Sequence, residues 1–214
     1  MHKSPILNPD TAWVRERFSA RRPPACDSPV DAEATQSKQS ADSAALRAAS
    51  VLIPVIEREA GLTVLFTRRT EHLLAHAGQI SFPGGGVEPD DDSPIATALR
   101  ETEEEIGLHR RHVEILGCLR EHPTATGYRI TPIVGLVRPP FELRLDEYEV
   151  AGIFEVPLVF LLDPANHRRD SMIRDGRRRE FDAVPYGEHY IWGATAAMLR
   201  GLCQILSEAA RIRG

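Results

Sequence analysis

Glu101, Glu104 and Glu105 carry the most suggestive spacing in the chain. On a helix of about 3.6 residues per turn, positions i, i+3 and i+4 share one face, and Glu103 points away. Like charges at this spacing repel, and near a helix C-terminus the macrodipole adds to the cost. A hard divalent cation offsets both. Mg²⁺ and Mn²⁺ take oxygen ligands, commonly one or two carboxylates together with substrate phosphates. The chemistry open to such a set is the binding of a divalent cation shared with a phosphate-bearing ligand. A solvated acidic face laced with Glu–Arg pairs is the competing reading.

The helix that must position these carboxylates has readable ends. Ser93 suits the N-cap and Pro94 the first helical position. Gly107 suits the left-handed residue that stops a helix. Ile95, Ala98, Leu99, Thr102 and Ile106 make its core-facing stripe. Gly84, Gly85 and Gly86 stand just ahead of it, and glycine permits close approach of backbone to a ligand.

Taken as Gly86, five residues, Asp92, seven residues, then Arg100-Glu101-Thr102-Glu103-Glu104-Glu105-Ile106-Gly107-Leu108, the stretch resembles the Nudix box, G-x5-E-x7-R-E-U-x-E-E-x-G-U with U a bulky apolar residue. Asp92 stands where the family has Glu, and Thr102 where it has an apolar residue. The resemblance implies a Nudix α/β/α sandwich with a mixed β-sheet. It also implies metal ligands Glu101, Glu104, Glu105 and the carbonyl of Gly85, holding Mg²⁺ or Mn²⁺. Arg100 is then expected to pair with Asp92 or a helix glutamate and to orient the ligands. Glu149, ahead of an expected strand, is the remote candidate for a further ligand or the water-activating base, with Glu101 its equal.

A second stretch, Leu65 to Gly85, resembles the signature of the coenzyme A pyrophosphatase branch of that family. Leu65, Thr67, Arg69, Gly78 and Phe82-Pro83-Gly84-Gly85 match, while Phe66, Thr70 and Leu74 depart. Strand alternation sends Arg68 and Arg69 to opposite faces, and Arg69 is the one expected to grip phosphate, with Gly84, Gly85 and Gly86 beside it. Thr126-Gly127-Tyr128, Thr131-Pro132, Asp146 to Val150 and Tyr190 to Gly193 add fragments of the same resemblance. What it implies is a hydrolase acting on coenzyme A or acyl-coenzyme A, giving 3′,5′-ADP and (acyl-)4′-phosphopantetheine. Two alternatives stay open: a Nudix hydrolase of another nucleoside diphosphate derivative, and a non-catalytic nucleotide-binding regulator.

The chain has 214 residues, 42% of them apolar, and a net charge of −5. That length supports one core, expected over 46–214, behind an N-terminal extension at 1–45. Within the extension a short helix at 8–19, capped by Asp10 and anchored by Trp13 and Phe18, precedes a mobile linker rich in Pro, Ser and Ala. The acidic balance gives no reason to expect nucleic acid or an anionic membrane as partner. Cys26, Cys118 and Cys203 show no metal-ligand spacing and are expected to be thiols in a reducing compartment. No run approaches the ~18 apolar residues of a membrane helix, and the first residues lack the plan of a signal peptide. The expected location is cytoplasmic.

Strands are expected at Val51–Ile56, Leu62–Thr67, Gln79–Phe82, Val113–Arg120, Tyr128–Val137 and Val150–Val156, with a helix from Pro157 and a final helix after Trp192-Gly193. Residues 167–182 read as a basic hairpin turning at Asp175-Gly176. Its Arg168, Arg169, Arg174, Arg177, Arg178 and Arg179 are either solvated or a clamp on a distal phosphate. His72, His76 and His122 are expected at the surface or in loops.

Overall fold

The structure is a computed structural model that describes residues 9–20, 26, 46–72, 77–174 and 176–208. Its frame is the strand β1 (Arg47–Arg58), which is buried over most of its length. Along one edge β1 pairs in parallel with β7 (Tyr128–Val137), from Arg47↔Tyr128 to Ile56↔Val137. Its other edge is shared. β2 (Gly61–Arg69) takes Val55 to Arg58, and β4 (Gly84–Gly86) takes Ala49 to Val51. The sheet continues through β3 (Ile80–Ser81) and β8 (Val150–Pro157) on β2, and through β5 (Val113–Cys118) and β6 (His122–Pro123) on β7.

Side chains alternate across this mixed sheet, and both faces are covered. Leu52, Ile56, Ile133 and Val137 pack on one side with Ala98 and Ile106 of α2 (Pro94–Ile106). Val51, Ile53, Val55, Val134 and Leu136 pack on the other with α1 (Thr11–Ser19), α3 (Leu158–Leu162) and α4 (Gly193–Glu208). β9 (Arg168–Arg174), β10 (Arg177–Tyr186) and β11 (His189–Trp192) form a separate antiparallel sheet in the order β11-β10-β9. An aromatic row joins the two sheets. Phe66 stacks on Phe82 and Phe154, and Phe154 stacks on His189 with centroids 3.6 Å apart.

The local chemistry explains the helix ends. The Ser93 hydroxyl accepts from the Ala96 N–H at 3.2 Å, and Gly107 sits at φ +68° with its N–H on the Glu103 carbonyl. Asp10 caps α1 through the Trp13 N–H at 2.7 Å. α1 is docked rather than loose: Val14 and Phe18 are buried against α4, Arg17 donates to the Leu206 carbonyl, and Arg15 pairs with Glu114 of β5 at 2.7 Å.

The expectation for the cysteines is corrected. Cys26 and Cys118 form a disulfide across a sequence separation of 92, and of the three only Cys203 is a free thiol. Spacing carries no pairing information at that distance, so the bridge was not readable. The cytoplasmic expectation loses the support it took from unpaired thiols. Apart from Ala20 and Cys26, the expected linker lies outside the described residues. Among the described residues no helix is long and apolar enough to cross a membrane.

Candidate active site

Where β2 gives way to β4 along β1, the sheet leaves a cleft of about 860 Å³. Its inner pole is built by glycines. Gly85 lies opposite Ser50 of β1, and any side chain added to Gly85 would run into the Glu101 carboxylate. Gly84, at φ +152°, has no room either, because a Cβ there would strike the Ser50 carbonyl. Its N–H donates to Glu105 Oε2 at 3.2 Å, and Glu105 Oε1 lies 3.5 Å from Arg69 Nη1.

The Glu105 side chain is 5% exposed. Burial pushes its carboxyl up to about 8, against the pull of Arg69 and the Gly84 N–H. Burial raises Glu101 as well, opposed by Arg100, with the charges of Glu104 and Glu149 adding to the shift. Glu149 Oε2 lies 3.9 Å from Arg69 Nη2. Arg69 therefore bridges two carboxylates, while its own buried Nε has no hydrogen-bond partner among the described residues. Arg68, its neighbour across a register shift in the β2–β8 ladder, is exposed.

Arg100 ties the pole to α2. Its Nη1 donates to Glu101 Oε1 at 3.0 Å and to Glu104 Oε2 at 3.1 Å, and its Nη2 donates to the Gly86 carbonyl at 3.1 Å. Of the two expected pairings, that with helix glutamates is present, through Glu101 and Glu104, while the loop carboxylate is Asp91 and not Asp92. Arg100 Nε and Nη2 reach the two Asp91 oxygens at 3.0 and 2.9 Å. The turn from Glu88 to Asp91 aims Asp91 inward, since the Glu88 N–H and the Thr97 hydroxyl both donate to Asp91 Oδ2. Asp92, one residue on, is exposed. Arg100 holds the Asp91 carboxyl down at about 2, against the cost of burial. Glu103 faces elsewhere, bound to Arg110 at 2.7 Å.

The structure thus gathers Glu101, Glu105, Glu149, Arg69, Arg100 and Gly84–Gly86 at one end of the cleft. Glu104 is apart, its side chain 59% exposed and its Oε2 on Arg100. Among the described residues no group of three or more His, Cys, Asp or Glu side chains is already closed around a cation position. The donors nonetheless suit a hard cation. Glu105 is buried and Glu101 half-buried, burial raises both carboxyls, and a Cβ on Gly85 would meet the Glu101 carboxylate.

The opposite end holds residues that the sequence did not single out for a site. Arg47, His122, Thr124, Thr126, Tyr128 and Trp192 line it. The readable signal was alternation: Arg47, Ala49 and Val51 share the cleft face of β1, which begins four residues before the expected strand. His122 was expected in a loop and is instead a half-buried wall residue whose imidazole is held below its usual range by burial. His72 meets the Tyr148 ring at a tilt, centroids 4.7 Å apart, and His76 lies outside the described residues. Among the described residues Arg168, Arg169, Arg177, Arg178 and Arg179 are not in the cleft lining, and Arg169 pairs with Glu180 while Arg178 donates to Ser171.

Several residues of the second resemblance turn out to hold the scaffold. The Thr67 hydroxyl bonds to Ser81, Gly78 takes φ +66° beside Glu71, and Phe82 stacks on Phe66. Arg69 and the glycines reach the pole.

Comparison with known proteins identifies the family. The family model of the NUDIX domain matches residues 46–175. The chain is 44% identical over 165 residues to the uncharacterized Nudix hydrolase NudL of Yersinia pestis (strain Pestoides F), covering 77% of this chain and 82% of that protein. Among solved structures it is similar to the C. elegans Ap4A hydrolase binary complex, at 18% identity over 51% of this chain and 80% of that one, with a TM-score of 0.45. It is also similar to the MutT protein from Methanosarcina mazei Go1, at 27% identity over 56% and 84%, with a TM-score of 0.44. The chain belongs to the Nudix family and is a Nudix pyrophosphohydrolase.

Proposed function

We propose that the cleft hydrolyses the pyrophosphate linkage of coenzyme A or an acyl ester of it, giving 3′,5′-ADP and (acyl-)4′-phosphopantetheine. The observation that carries the chemistry is Glu105: a carboxylate 5% exposed, set between the Gly84 N–H and Arg69 and next to Glu101. The choice of substrate rests on the run from Leu65 to Gly85 that resembles the coenzyme A pyrophosphatase branch.

Glu101, Glu105, the Gly85 carbonyl and Glu104 would hold Mg²⁺ or Mn²⁺. Bound there, the cation would screen the phosphate oxygens and acidify a water. Arg100 fixes Glu101 and Glu104 from behind, and its fork on Asp91 keeps that geometry rigid. Arg69, its Nη groups at Glu105 and Glu149 and its side chain 25% exposed, would offer its guanidinium to a phosphoryl oxygen. Glu149, its side chain 43% exposed at the cleft, or equally Glu101, would take the proton of the attacking water.

The test compares kcat/KM for coenzyme A, acetyl-coenzyme A, ADP-ribose and NADH at one salt and metal concentration, with products identified by mass. Coenzyme A or its short ester should rank first. A lead for ADP-ribose or NADH would remove the substrate assignment and leave the pyrophosphatase chemistry in place.

A further inference from the structure

We infer that Arg47, stacked on Tyr128, is the receptor for a phosphate monoester that the substrate carries away from the linkage being cleaved. The inference rests on the proposed pyrophosphate hydrolysis and names the residue that sets its selectivity. Arg47 opens β1 directly beside Tyr128 of β7, with its N–H on the Gly127 carbonyl at 2.9 Å. Its Cζ lies 4.2 Å from the centroid of the Tyr128 ring, and both residues line the cleft.

Among the described residues no carboxylate pairs with Arg47, whereas Arg69 and Arg100 are each committed to carboxylates. Stacking on the phenol occupies one face of the guanidinium and leaves its in-plane donors open. That rigid fork matches phosphate oxygens, and a dianionic monoester gains more from it than an uncharged group does.

The floor between the two ends fits this assignment. Arg47 is three residues along β1 from Ser50, which faces Gly85. At about 3.3 Å per residue, the backbone of Arg47 sits roughly 10 Å along β1 from the position opposite Gly85. Ala49 of β1 and its cross-strand partner Ile130 lie between them, apolar and uncharged. A substrate with a pyrophosphate at one end, an uncharged nucleoside middle and a second phosphate beyond it meets this pattern. The 3′-phosphate of coenzyme A and the 2′-phosphate of NADPH are both monoesters of this kind.

The experiment measures kcat/KM for two matched pairs, coenzyme A against dephospho-coenzyme A and NADPH against NADH. The proteins are wild type, Arg47→Gln, Arg47→Lys and, as a control on the hairpin, Arg178→Gln, with melting temperatures checking the fold. Wild type should favour the phosphorylated member of one pair by about tenfold or more, the pair identifying the source of the monoester. Arg47→Gln should bring that ratio to near one by lowering only the phosphorylated substrate, Arg47→Lys should restore part of it, and Arg178→Gln should leave it unchanged. Calorimetry without metal adds a readout independent of turnover: wild type should bind 3′,5′-ADP or 2′,5′-ADP more tightly than 5′-AMP, and Arg47→Gln should erase the difference. A folded Arg47→Gln protein that keeps both preferences overturns the inference and leaves the proposed function standing. Failure to hydrolyse coenzyme A at all removes the proposed function, while the calorimetric comparison still decides on Arg47.

Discussion

Two stretches of dense charge lie far apart in this chain, 100–105 and 168–179, and they end differently. In the first, Arg100 and Glu101 are largely withdrawn from solvent, and one guanidinium holds Asp91, Glu101 and Glu104 at once. In the second, strand alternation splits Arg177 and Arg179 from Arg178, and Arg169 and Arg178 make single exposed bonds along the hairpin. A run of charge is therefore not a site by itself. A frame that removes charges from water while binding each to several partners makes their loss expensive, and an exposed ladder does not.

The largest expected effect comes from the buried carboxylate. Glu105→Gln should lower kcat by at least about 10²-fold, beyond what residues supporting a metal site usually cost, with the circular dichroism spectrum unchanged. A variant of near-normal turnover at saturating Mg²⁺ would put the inner pole on a level with the hairpin. Next comes Asp91→Asn, which leaves Arg100 with half of its anchor. About 10- to 100-fold in metal affinity or turnover should go, and Asp92→Asn should cost little. Equal losses in the two variants would restore the expected Asp92 pairing.

The same aspartate predicts an acid signature. Arg100 depresses the folded-state value to about 2, below the ordinary aspartate value of about 3.9. A depressed carboxylate stabilises the fold above its unfolded value, and that stability disappears as pH falls through the folded one. The stability gap between wild type and Asp91→Asn, read from urea midpoints, should be full above about pH 4 and should close toward pH 2. A gap that stays constant across that range would mean that Asp91 is not ionised against Arg100. The smallest effect is expected at the hairpin: Arg177, Arg178 and Arg179 changed together to Gln should alter kcat/KM for coenzyme A by less than about twofold, as charges on an open surface contribute little. A tenfold loss would bring the hairpin into substrate binding after all.

What was legible in the sequence was local. Ser93, Pro94 and Gly107 mark α2 because capping uses backbone groups within a turn of the residue. β7 was readable to the residue, since a run of β-type residues bounded by Gly127 and Pro139 has no helical competitor. The Asp91 pairing was hidden by a one-residue difference in how a turn aims its side chains, which spacing does not encode. The far wall was hidden for another reason. Arg47, His122 and Trp192 come from three distant stretches and meet only once the parallel β1–β7 ladder and the second sheet are assembled.

The docking of α1 has a consequence for where this molecule can be cut. The family match begins at residue 46, and every residue of the cleft lies beyond that point. Yet β5, the last strand of the order β3-β2-β1-β7-β5, is fastened from the other side of that boundary, by Arg15 on Glu114 and by Cys26 on Cys118. A chain shortened to begin at residue 46 bares the apolar seat of Val14 and Phe18 on α4 and leaves β5 without either fastening. The hazard of trimming is therefore aggregation, and the N-terminal segment acts as a guard on solubility.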